Sequence, residues 1–141
     1  MDQEPIIYLS EKEKTDLFPS LYFINANLHV FVENLFRNFL QTDAGELLKN
    51  TDLELLKKRF ESSFKIILYN IQYPMNLQDH LDLLIMKHAE YRLLPEYFDN
   101  FIESFNEAII ISLPKTFEHS AIATWAKLMT QIVDYFKKKM F

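Results

Sequence analysis

Apolar residues recur along this chain at steps of three and four, the spacing of one face of an α-helix rather than of a strand. Leu28, Phe31, Leu35 and Phe39 share such a face, which predicts a helix from about Leu28 to Leu40. Leu53, Leu56, Phe60, Phe64 and Ile67 predict a second, ending near Tyr69-Asn70, before Pro74. Phe98, Phe101, Ile102, Phe105 and Ile109 lie on a helix opened by Pro95 and stopped before Pro114. Proline suits a first turn, where its missing N–H has no acceptor to lose. Ile122, Trp125, Met129, Ile132 and Phe136 predict a last helix from about Thr116 to Lys138, closed by Lys137-Lys138-Lys139 at the negative end of its dipole.

Local signals set the remaining boundaries. Residues 1–9 read as a tail. Ser10 with Glu13, and Thr51 with Glu54, form the capping-box pattern that opens a helix. Pro19 is expected to interrupt or restart the first helix, since an interior proline costs about 3 kcal/mol. Asn25-Ala26-Asn27 is a weak break, and residues 41–50 form a polar link with a helical turn near Leu47-Leu48. Asn76 is the expected cap of a helix running to about Tyr91. Six or seven helices with short links result, with no repeat and no dividing linker, so residues 1–141 form one domain.

Composition narrows the class. The chain has 141 residues, 49% of them apolar and 13 of them Phe, enough for a real core. It has a single Gly, too few for a turn-rich barrel, sandwich or Rossmann domain, so an all-α fold is favoured. No Cys occurs, which excludes disulfides and thiolate sites. The acidic start MDQEP is not a signal peptide, and no apolar run reaches the roughly 20 residues of a membrane span, so a cytoplasmic protein is expected. A net charge of −5 argues against a nucleic-acid partner. Glycine loops for phosphate and the Gly-x-Ser-x-Gly nucleophile motif are both missing.

The informative stretch is Leu81 to Phe101. His88 follows Leu84 by four residues and Ile85 by three, so it shares their apolar helix face. Alone, such a histidine is more often a core residue with a satisfied nitrogen. His29, His80 and His119 show no histidine partner at helical metal-site spacing. His80 and His119 read as solvated, and Asp79 and Asp82 as a charged helix start. His29 is the one other histidine that could approach the site.

The run Lys87-His88-x-x-Tyr91-x-Leu93-x-Pro95-x-Tyr97-Phe98 resembles the proximal half of the haem pocket in bacterial single-domain globins. Phe31-Val32-x-x-Leu35-Phe36 resembles the family's second helix. Leu48-x-x-Thr51-Asp52-Leu53-x-x-Leu56 resembles the link into the distal helix, and Trp125 the tryptophan of the last helix. The resemblance covers about Phe31 to Phe136 and implies a globin-like fold around haem b. His88 would be the iron ligand, its other ring nitrogen donating to the Leu84 carbonyl. Leu84, Leu93, Phe98 and Phe101 would line the proximal side.

The distal side departs from the family. Leu56 stands where the usual His or Gln is found, Val32 where many bacterial relatives have Tyr, and Leu48 where the link has Phe. With Phe36 and Phe60 they offer bound dioxygen no hydrogen-bond donor, which favours neutral ligands such as CO or nitric oxide. Lys57, Tyr22 and His29 are the alternative donors. The Tyr and Glu that some relatives tie to the proximal histidine are also missing: Phe98 holds the first position and the second falls near Met140. Arg59, with Arg92 or Lys87 behind it, is the candidate partner for the haem carboxylates.

Three functions fit these features: a haem protein binding a diatomic gas for transport, sensing or nitric-oxide removal, a haem-free globin-fold docking module, and a plain helical interaction domain. Ligand binding is expected rather than catalysis. With neither a fused output nor a reductase domain expected, turnover would need a separate electron-donor reductase. A monomer or homodimer is expected.

Overall fold

The computed structural model describes residues 6–117 and 119–141. Helices α1 (Glu11–Ala26), α2 (Leu28–Phe39), α3 (Leu53–Tyr69), α4 (Pro74–His88), α5 (Pro95–Ser112) and α6 (His119–Met140) are joined by short links, with a 3-10 helix at Asp43–Leu48. The described residues contain no strand, so the expected all-α fold holds. The expected tail overlaps residues 1–5, outside the described residues; residues 6–10 lie along the helices, where the Gln131 amide donates to and accepts from the Tyr8 backbone at 3.0 Å.

The core is aromatic. α2 packs on α5, α5 on α6, and α6 on α1. Phe31 stacks on Phe64 at 5.6 Å and meets Phe105 edge-on at 5.2 Å, while Phe105 reaches Trp125 at 6.1 Å. All four are fully buried. Truncating any one to Ala costs about 3–5 kcal/mol in transfer and cavity energy. The Trp125 indole N–H donates to Ser20 Oγ at 2.8 Å, which satisfies the polar edge of a sealed ring.

Several boundaries differ from the sequence reading. α1 runs straight through Pro19, because Leu17, Leu21 and Ile24 are buried around it and Ser10 and Glu13 form the predicted capping box. Asp52, not Thr51, caps α3: its carboxylate accepts from the Leu55 N–H at 3.2 Å, while the Thr51 hydroxyl donates back to the Leu48 carbonyl at 2.7 Å. α4 opens at Pro74 rather than Asn76, as proline can take the first helical position itself. It ends at His88 rather than Tyr91, and α6 starts at His119 rather than Thr116, which lies in a turn closed by Phe117 N–H to Pro114 O at 3.1 Å.

The single glycine has a steric role. A Cβ on Gly45 would stand 2.6 Å from the Leu40 Cα and from the Leu40 and Phe39 carbonyl oxygens. Its φ is not positive, so what it permits is close approach of the 3-10 helix to the end of α2.

Candidate functional site

α4 carries the central residue. Its buried side chains, Leu77 and Leu81, both lie in its first half, so the last two turns carry Leu84, Ile85 and His88 half-buried. His88 Nδ1 donates to the Leu84 carbonyl oxygen at 2.7 Å, the geometry the resemblance implied. That bond fixes the tautomer: with Nδ1 protonated, Nε2 keeps its lone pair. The His88 ring also meets Phe136 edge-on at 5.7 Å.

Around it the candidate residues fall into two groups. Phe98 joins the His88 side, packing on Phe136 at 6.0 Å and Phe141 at 6.0 Å. Phe36 meets Phe60 at 5.7 Å, and Phe60 meets Phe101 at 6.0 Å. Phe101, expected beside the proximal residues, therefore stands with α2 and α3, and it also touches Phe39 at 6.0 Å. It lies almost one turn beyond Phe98 on α5, so that one helix contributes a ring to each group. Val32 and Phe36 are buried, whereas Leu48, Leu56, Phe60, Leu84, Leu93 and Phe101 are half-buried apolar residues packed against the core.

The candidate polar groups separate clearly. Lys57, one residue from Leu56, is held by Glu33 at 3.2 Å and Glu54 at 3.6 Å, so its ammonium is engaged by carboxylates. Tyr22 and His29 are exposed, which removes both as donors to an interior site. Arg59 and Arg92 are exposed, with no salt bridge to the described residues, and Lys87 is exposed as well. His119 is exposed as expected. His80 is not the solvated residue expected: it is half-buried, its Nε2 stands 2.9 Å from Ser63 Oγ on α3, and burial pushes its pKa below the ordinary histidine value. Asp82 likewise accepts a hydrogen bond from the Tyr135 hydroxyl of α6, which sequence reading missed. Phe136 was visible as a member of the α6 stripe; the Ser63–His80 and Asp82–Tyr135 pairs carry no sequence signal, because each joins different helices.

The globin sequence model matches residues 29–136, most of the chain. The chain belongs to the globin family. A search of curated proteins returned no match. Membership removes the plain helical interaction domain from consideration and gives the His88 geometry a context. Among the described residues no cluster of three His, Cys, Asp or Glu side chains could hold a bare metal ion. A lone imidazole with a free Nε2 suits a metal whose other donors come with it, as in a porphyrin. Half-buried apolar side chains such as Leu56, Phe60, Leu84 and Phe101 suit the flat apolar body of such a group. The residues present therefore fit haem. No described helix is long and apolar enough to cross a membrane.

Proposed function

We propose that this globin binds haem b through His88 Nε2 and takes up a diatomic gas on the α3 side. The observation that carries the reading is the His88 Nδ1 bond to the Leu84 carbonyl, which leaves Nε2 as a fixed, basic donor. When bound, haem supplies an iron with one position open to a gas. Leu84, Leu93, Phe98 and Phe136 hold the imidazole side dry. Val32, Phe36, Leu48, Leu56 and Phe60 bound the other side, with Phe101 beside Phe60. None of these carries a donor, so the site favours neutral, weakly polar ligands such as CO and nitric oxide over dioxygen. Arg59 is the nearer candidate for the haem carboxylates, since it lies on α3 one turn past Leu56; Arg92 follows the end of α4. Sustained turnover of any gas would draw on a separate electron-donor reductase.

A visible spectrum of the purified chain, before and after addition of haemin, tests the reading. An intense Soret band that shifts when CO is added to the reduced protein is expected. A chain that takes up no haemin overturns it and leaves the haem-free docking module.

A further inference from the structure

Tyr135 is set apart from the chain's six other tyrosines. Among the described residues its hydroxyl is the one tyrosine hydroxyl that donates to a carboxylate, that of Asp82 on α4. Tyr22, Tyr69, Tyr73 and Tyr91 are exposed on the surface. Lys139 places its ammonium 5.6 Å from the centre of the Tyr135 ring. A shallow, open surface depression lined by Ile6, Gln131, Asp134, Tyr135 and Lys138 borders the same residue. The next residue, Phe136, is the one that touches His88.

These groups determine how the phenol could lose an electron. A phenol radical cation beneath an ammonium is disfavoured by like charge. Prior loss of the proton is also closed near neutral pH, because burial and the Asp82 charge push the Tyr135 pKa up to about 12. The remaining route moves both together. The electron leaves to an oxidant while the phenolic proton crosses the existing hydrogen bond to Asp82.

We propose that Tyr135 and Asp82 form a proton-coupled redox pair that carries an oxidising equivalent to the protein surface. In the step, the Tyr135 O–H bond breaks and an Asp82 O–H bond forms. Tyrosine becomes a neutral phenoxyl radical, and the oxidant gains one electron. One electron from a small organic reductant at that surface, a phenol or an enediol, returns to the phenoxyl radical while the proton crosses back from Asp82, which restores both residues; the proton lost by the oxidised reductant goes to solvent. In the cell the oxidant would be the haem iron after reaction with hydrogen peroxide. That source rests on the haem reading above, whereas the chemistry of the pair does not.

The test uses the full chain, as purified and after haem extraction, with a photo-oxidised ruthenium polypyridyl complex as a soluble one-electron oxidant. Electron paramagnetic resonance reads the radical that persists. A fluorotyrosine installed at position 135 is expected to change its hyperfine pattern, and Tyr135→Phe to lower its yield several-fold. Asp82→Asn is expected to slow formation about tenfold or more and remove its solvent deuterium effect, while Asp82→Glu keeps both. An unchanged hyperfine pattern, or an Asp82→Asn protein that forms the radical at the wild-type rate, overturns the proposal. The fluorotyrosine protein keeps the test decisive if Tyr135→Phe does not fold. Because the oxidant is external, a missing Soret band would leave this result standing, and a missing radical would leave the haem reading standing.

Discussion

His88 Nδ1 stands 2.7 Å from the carbonyl oxygen of Leu84, one turn back on the same helix. Leu84 lies four residues before His88 within α4, so its carbonyl is also the helix acceptor of the His88 backbone N–H, and a carbonyl oxygen with two lone pairs can take the ring N–H as well. The ring bond holds the imidazole in one tautomer and one orientation, with Nε2 directed away from its own backbone. His88→Ala is expected to abolish or greatly weaken haem retention, read from the Soret absorbance after gel filtration. His119→Ala should leave the spectrum as in wild type, and so should His80→Ala. A wild-type spectrum in His88→Ala would mean that another residue holds the iron.

The distal residues set the second expectation. A donor to dioxygen is worth on the order of 1–3 kcal/mol, and about 1.4 kcal/mol is a factor of ten. Without one, dioxygen release should be roughly tenfold or more faster than with one, while CO release is nearly unaffected. Leu56→Gln restores a donor and should lower the ratio of CO to dioxygen affinity. Dissociation rates of both gases, for wild type and variant, measure it. An unchanged ratio would show that Leu56 does not face the gas.

Gly45→Ala should destabilise the fold by roughly 1–3 kcal/mol, the range for forcing atoms into a filled space. The three atoms that its Cβ would meet are backbone, so no side chain can rotate away. The midpoint of urea unfolding reads the effect. A stability equal to wild type would mean that the 3-10 helix can move off α2 at no cost.

His80 makes stability fall with acid. Its folded pKa lies below the ordinary value of 6.5, chiefly through burial, with the Lys87 charge acting in the same direction. The unfolded chain therefore binds the proton more readily, and stability declines as pH drops below about 6.5. Urea midpoints at stepped pH should show the decline. It should be smaller in His80→Gln, which has no proton to gain. Equal slopes for the two proteins would remove His80 as the cause.

Tyr135 acts at the other end of the scale. Its pKa is raised from 10.0 to about 12, so the folded state holds the phenolic proton more tightly than the unfolded chain. This contribution is complete below pH 10.0 and is lost as pH climbs toward about 12. Ultraviolet titration should show one tyrosine ionising after the others, and Tyr135→Phe should remove that late step. Were the step to remain in Tyr135→Phe, another tyrosine would own it.

The chain by itself determined the helices and their apolar faces, because the three-and-four periodicity of residues such as Phe31, Leu35, Phe64 and Trp125 is a local property. It also placed His88 on the Leu84 face, since both lie within one turn. Caps were less legible: Thr51 and Asp52 are both good caps, and only the path of the preceding link decided which hydroxyl or carboxylate met a free N–H. Pro19 illustrates the same limit, as burial of its neighbours against α6 outweighed a local penalty. What only the tertiary structure decided was every pairing between helices. Phe101 went to the Phe60 side, Lys57 to Glu33, Ser63 to His80, and Asp82 to Tyr135, 53 residues away. Such pairs depend on how α3, α4 and α6 cross, and a crossing is set by the packing of whole faces rather than by the identity of any one residue.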